Sequence, residues 1–235
     1  MKQRLYLLVC VSSLIAQALG GVIPGSVEPA AKAQTDIQGT SYHRDNFDER
    51  GSNFEGDILL SPTGFSGAAN PKYRWQNAQI PFIIDGTFTD SEKRIIKSGM
   101  EDITSSTCIR FIERTNENDH IFIKKGGSGS GCNSHVGRQG GRQTVTLQVP
   151  GCATKGIVSH ELIHAVGFRH EHSRSDRDDY IRVNYENINP KFAYAFNKYG
   201  PDTVNSFGVP YDYGSIMHYS AYAFSTGSSK PSITT

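Results

Sequence analysis

The sequence has no excess of charge of either sign. Lys and Arg total 24 against 23 for Asp and Glu, a formal net charge of +1 over 235 residues. A nucleic-acid-binding domain carries a clear basic surplus and a disordered acidic tail the opposite, so neither class fits. Internal repeats are lacking, and so is any Asn-x-Ser/Thr sequon, which leaves no site for N-glycosylation. The glycine loop from Gly137 lacks the Gly-Lys-Ser/Thr ending of a phosphate-binding loop and reads as a structural turn. Beyond the first residues, no apolar run approaches the roughly 20 residues that a bilayer span needs.

What is present begins at the N-terminus. Lys2 and Arg4 precede the apolar run Leu5 to Val11 and then Leu14-Ile15, and Ala16-Gln17-Ala18 supplies the small-x-small pattern of a cleavage site. Ser12, Ser13 and Gln17 interrupt the run, which favours a signal peptide over residues 1–18 rather than a membrane anchor. The expected product is soluble, secreted and extracellular, with no membrane association. Export places the cysteines in an oxidising compartment. Cys10 leaves with the leader, and Cys108, Cys132 and Cys152 remain. Pairing Cys132 with Cys152 would staple the glycine loop and following strand, closing about 20 residues for about 3 kcal/mol in the chain-entropy model. Cys108 is then left over. It is either a free buried thiol or one half of a bridge whose other half is missing.

Residues 19 to about 66 are rich in Gly, Ala, Pro, Ser and Asp, with little periodic apolar pattern, and would not build a core of their own. They read as a linker or as a propeptide lying across a folded partner. From about Tyr73 the pattern tightens. Ile80 to Ile84 reads as a strand whose Pro81 suggests an edge or a first position. Thr89-Asp90-Ser91-Glu92 is a capping box opening a helix through Ile95, Ile96, Met100 and Ile103. Short strands are expected at 108–112 and 120–123, and Gly137 to Leu147 reads as a glycine loop followed by a strand. Helices are expected at Lys155 to Val166 and from Asn189-Pro190. Strands and helices without strict alternation indicate an α+β fold.

The informative segment is His160-Glu161-Leu162-Ile163-His164-Ala165-Val166-Gly167-Phe168-Arg169-His170-Glu171. Residues four apart share a helix face, so His160 and His164 can present imidazoles to one point. Neutral imidazole suits Zn²⁺, and three protein ligands leave a position open for water. Glu161 lies where a carboxylate reaches that water rather than the metal. Gly167 can end the helix in a left-handed conformation, letting the chain turn back and bring in His170 as third ligand. A continued helix would carry His170 to another face. The extended pattern is that of the metzincins.

Glu171 directly after the third histidine makes the segment resemble the astacin family. Ser215-Ile216-Met217-His218-Tyr219 is similar to that family's Met-turn, and the Cys132–Cys152 loop and Ser173 to Asp178 also resemble astacins. The likeness runs from about residue 70 to 226. It implies a metzincin-like catalytic domain, with a mixed sheet and active-site helix in an N-terminal subdomain. It also implies Met217 beneath a single zinc and Tyr219 as an additional ligand. Phe54-Glu55-Gly56-Asp57 resembles the astacin propeptide motif, in which the aspartate occupies the metal position meant for water. The resemblance thus divides the chain into propeptide 19–69 and catalytic domain 70–235, with release by an activating protease between Phe65 and Pro71. The new amino terminus would then fold toward Glu171. The family pairs the cysteine matching Cys108 with one near the end of the domain. No such cysteine follows here, so part of the C-terminal subdomain is expected to be missing.

The combined expectation is a secreted, monomeric zinc endopeptidase made as a zymogen and acting on proteins or peptides. Glu161 would serve as general base and then acid. Tyr219 would hydrogen-bond the developing oxyanion. The competing expectation, motivated by the left-over Cys108, is a catalytically impaired secreted binding or matrix protein. His172 has the wrong spacing for the cluster and reads as a surface residue. His43, His120, His135 and His218 have no ligand role, and Arg174 to Asp179 reads as a salt-bridged loop.

Overall fold

The computed structural model describes residues 53–60, 70–200 and 203–235. The expected leader, most of the expected propeptide and its release site lie outside the described residues, as does His43. Six strands form one sheet: β1 (Ile58–Leu59), β2 (Gln79–Ile84), β3 (Arg110–Glu113), β4 (His120–Gly126), β5 (Cys132–His135) and β6 (Arg142–Gln148). Their spatial order is β1-β5-β6-β4-β2-β3. Every adjacent pair is parallel except β5 with β6. This is the mixed sheet expected of an α+β domain.

Helix α1 (Asp90–Ser106) provides the crossover between the parallel neighbours β2 and β3. Its capping box forms as the sequence predicts. Thr89 accepts from Glu92 N at 3.3 Å, and Glu92 returns a 2.7 Å bond to Thr89 N. Ile96, Met100 and Ile103 face inward. Helix α2 (Lys155–Val166) packs against α1 at Gly99. A Cβ there would lie 2.7 Å from Val158 Cγ1, so only glycine lets the helices approach this closely. Residues Ile157 to Ala165 are all buried. A helix apolar on nearly every side belongs inside a core, and α2 carries the histidine motif into the interior.

Pro81 falls in the body of β2 rather than at a sheet edge. β4 takes up its register with β2 only at Phe82, so the missing N–H lies just outside that ladder. Downstream of α2 the chain has little regular structure. The segment opened by Asn189-Pro190 is a 3₁₀ helix, Pro190–Phe196, rather than an α-helix. Its tight turns bury Ala195 and Phe196 and stack Phe192 on Phe224 at 4.7 Å between ring centres. Strands β7 (Arg182–Val183) and β8 (Ile233–Thr234) pair antiparallel. Two cores result. The first, between the sheet and both helices, includes Ile80, Ile121, Leu147, Leu162 and Met217. The second gathers Ile181, Ile188, Phe196, Tyr211, Tyr219 and Ile233. No helix among the described residues is long and apolar enough to cross a membrane.

Cys132 and Cys152 are bonded, with Cα atoms 5.7 Å apart and a sequence separation of 20. Cys108 requires a correction: it is disulfide-bonded, and no cysteine among the described residues is free. The mixed-charge loop is salt-bridged as expected, through Arg174 to Glu171 and Asp176 and through Arg177 and Lys198 to Asp178.

Replacing both Cys132 and Cys152 by alanine is expected to lower stability by about 3 kcal/mol through loop-closure entropy alone. A chemical denaturation midpoint unchanged from wild type would refute this.

Candidate metal centre

Helix α2 starts at Thr154, whose hydroxyl accepts from Ile157 N. It presents His160 and His164 one turn apart, and their ring centres are 4.8 Å from each other. Gly167 ends the helix with φ 133°, where an L side chain would be strained. Its N–H reaches Ile163 O and His164 O, and Phe168 N also bonds Ile163 O. The reversed chain then carries His170 to within 4.7 Å of His164 and 5.4 Å of His160, ring centre to ring centre. The turn falls at Gly167, with a φ well beyond the left-handed helical value.

Each imidazole is oriented through its other nitrogen. His160 Nδ1 lies 2.8 Å from Ile216 O, and His164 Nδ1 lies 2.7 Å from Phe168 O. A carbonyl can only accept, so both Nδ1 atoms carry the proton and both Nε2 atoms present a lone pair. His170 Nδ1 faces Glu55 Oε2 at 2.8 Å. The Met-turn thus supplies the acceptor for the first ligand. It is also tied to the segment after the helix by a 2.8 Å bond from Glu171 N to Met217 O.

Asp57 completes the constellation. Its Oδ2 is 2.9 Å from His160 Nε2 and 3.2 Å from His170 Nε2, and its Oδ1 is 3.6 Å from His164 Nε2. The four ligand atoms lie within 4.8 Å of one another. Tetrahedral zinc with bonds near 2.0–2.1 Å has ligand–ligand edges of about 3.4 Å, so the cluster has the right size. Two further observations fit a cation. Asp57 Oδ1 and His164 Nε2 are buried with no hydrogen-bond partner, which is costly unless a third body satisfies both. The protonation states also conflict. Burial pushes His164 down to about 4, whereas His170, although burial opposes it, is held up to about 10 by Asp57 and Glu55. One divalent ion held by the four groups would satisfy Asp57 with all three rings neutral.

Asp57 is held from the main chain as well. Its carbonyl accepts from Ser134 N at 2.9 Å, and β1 continues from it in parallel register with β5, Ile58 opposite Ser134 and Leu59 opposite His135. Glu161 is fully buried on α2 beside His160. Met217 is buried in the first core. Tyr219 sits near the cluster, its ring 4.7 Å from that of His170, but its hydroxyl donates to Glu55 O at 2.5 Å. Glu171 accepts from Arg174 Nη1 at 2.9 Å and from Asp212 N at 3.0 Å. Burial raises its carboxyl above the usual range while those donors oppose the rise.

His172 is not a surface residue. It is fully buried, with Nε2 2.9 Å from Ala195 O and its ring stacked 3.8 Å from Tyr219. The 3₁₀ turn Glu171–Ser173 folds into the second core, which spacing along one chain does not reveal. His120 is buried against Asn118 O, and His218 bonds the Tyr211 hydroxyl at 2.6 Å. Glu55 and Tyr199 were missed altogether. Only the neighbourhood of Glu55 to the Asp57 motif pointed to it, and nothing marked Tyr199.

Residues 67–235 match the family model described as Astacin, a peptidase family. The chain is 41% identical over 184 residues to zinc metalloproteinase nas-14 of Caenorhabditis elegans, covering 76% of this chain and 36% of that protein. It is 43% identical over 187 residues to high choriolytic enzyme 1 of Oryzias latipes, covering 77% of this chain and 67% of the relative. The solved structure of that enzyme, a hatching-enzyme zinc protease, superposes with a TM-score of 0.63 at 44% identity over 68% of this chain and 78% of the other. With the matched region taking in the whole histidine segment and the Met-turn, the chain belongs to the astacin family, whose members are zinc metalloendopeptidases using one zinc.

Proposed function

We propose that this chain is an exported endopeptidase held latent by its own N-terminal segment. His160, His164 and His170 are its zinc ligands, and Asp57 takes the position from which water would act. The observation that carries the reading is the convergence of three oriented Nε2 atoms on the Asp57 carboxylate. The basic and apolar N-terminus supports export. The relative high choriolytic enzyme 1 is a hatching enzyme. For this chain the proposed substrates are proteins or peptides, reached after an activating protease releases the segment ending near residue 69.

When bound, zinc supplies Lewis acidity, lowering the pKa of a water toward about 7 and polarising the scissile carbonyl. The chain's own residues do the rest. Glu161, buried one residue from His160, takes the proton of the attacking water and passes it to the departing amine. Tyr219, once Glu55 has left, turns its hydroxyl to donate to the carbonyl oxygen as negative charge develops there. Departure of β1 exposes the edge of β5, which can pair with an extended substrate backbone. While Asp57 is in place, no water has access to the reacting position.

Glu161→Gln is expected to retain one zinc per chain by elemental analysis while its turnover on a quenched-fluorescent peptide falls by about two orders of magnitude or more. Near-normal hydrolysis by that variant would remove Glu161 from the mechanism. Full-length Asp57→Ala is expected to cleave the same peptide before any trimming, where the untrimmed wild type is silent. Continued silence of the variant would sink the latency reading.

A further inference from the structure

Asp57 is not the only carboxylate that the N-terminal segment buries here. Glu55, two residues earlier, is fully buried as well. Its Oε2 is 2.8 Å from His170 Nδ1, and its Oε1 accepts a short hydrogen bond from the Tyr199 hydroxyl. Its main-chain carbonyl accepts from the Tyr219 hydroxyl at 2.5 Å. Arg169 stands behind Tyr199, donating to its hydroxyl at 2.8 Å with the guanidinium 4.2 Å from the ring centre. His170 is thus gripped from both ring nitrogens, by Asp57 on Nε2 and Glu55 on Nδ1.

A buried anion is tolerated only where donors compensate it. His170 and Tyr199 supply those donors, and burial followed by the Glu55 charge pushes the Tyr199 phenol up, keeping it protonated and donating. The backbone points the same way. Glu55 has φ 51° and Gly56 φ 87°. A non-glycine residue holds that left-handed conformation only where its surroundings fix it.

We propose that His170 and Tyr199, the latter held by Arg169 behind it, form a carboxylate-binding site beside the metal position, and that Glu55, seated in it, is a second latency anchor distinct from Asp57. The proposal rests on the latent-protease reading, but it is separable from it. Asp57 fills the position meant for water. Glu55 holds the segment down from the far side of His170 and keeps the Tyr219 hydroxyl turned onto its own carbonyl. Glutamine cannot substitute. Its amide oxygen can receive one of the two donors, but its NH₂ then faces the other, leaving a buried donor unpaired.

The test uses full-length, zinc-loaded protein as wild type, Glu55→Ala, Glu55→Gln and Asp57→Ala. Two quantities are read: hydrolysis of a small quenched-fluorescent peptide before trimming, and hydrogen exchange over residues 53–60. Both Glu55 variants are expected to hydrolyse the peptide and to exchange about tenfold faster or more over 53–60, the scale of one lost charge-assisted hydrogen bond. Wild-type levels of either quantity in the Glu55 variants overturn the second anchor. If Asp57→Ala is active at the same time, the latency reading survives that loss. A silent Asp57→Ala beside active Glu55 variants sinks the Asp57 reading and leaves the Glu55 anchor standing. Trimming removes residues 55 and 57, so all four trimmed enzymes are chemically identical, and unequal activity among them exposes misfolding. Should Glu55→Ala and Glu55→Gln both misfold, a synthetic peptide of residues 53–60 added to trimmed wild type decides. The peptide of native sequence should inhibit about tenfold better than the same peptide carrying Glu55→Gln, and equal inhibition overturns the proposal.

Discussion

The centre depends on one requirement: three imidazoles must each place a proton on Nδ1 so that three Nε2 lone pairs meet at one point. A histidine offers its Nε2 reliably only when something accepts from the other nitrogen. Two of the acceptors here are backbone carbonyls, Ile216 O and Phe168 O. They come from the two segments that bracket α2, the Met-turn and the turn opened by Gly167. The loops around the helix are therefore part of the ligand geometry. The bond between Glu171 N and Met217 O locks the two loops to each other, so a shift in either would misorient a ring.

The site lies on the seam between two cores. Met217 packs with the sheet and helices, and Tyr219, two residues on, packs with the residues that follow α2. The floor of the site is thereby joined to the more regular half of the fold. Tyr219 belongs to the half built from short turns, where it rests on His172 and crosses Phe196 edge-on. Its ring is packed on several sides while its hydroxyl reaches out of that core to Glu55 O.

The N-terminal segment lies across the sheet edge and the histidine cluster together. β1 occupies the edge of β5, Asp57 fills the ligand cluster, and Glu55 engages His170 and Tyr199. The buried negative charge this brings in is compatible with a folded interior where the three converging imidazoles can share a cation with Asp57, and where an imidazole and a hydroxyl donor meet the second carboxylate. His170 joins the two carboxylates, facing one on each ring nitrogen.

Much of this was legible along the chain because it is written in local periodicity. The four-residue spacing of His160 and His164, the capping box at Thr89, the extent of α2 and the stop at Gly167 follow from helix geometry alone, and the structure has them at those residues. The Cys132–Cys152 staple was legible because the two cysteines flank a glycine loop. Short-range chemistry misled where packing outweighed it. His172 was drawn into the second core by Ala195 O and the Tyr219 ring, and the segment after Asn189 tightened to a 3₁₀ helix to bury Ala195 and Phe196. What the sequence determined by itself was that His160 and His164 share one helix face, since a helix repeat converts spacing into direction. Which proton each imidazole carries, where Tyr219 points and that Glu55 is buried were decided only by tertiary structure. Each of those depends on an acceptor or donor supplied from a distant part of the chain, as with Ile216 for His160 and Tyr199 for Glu55.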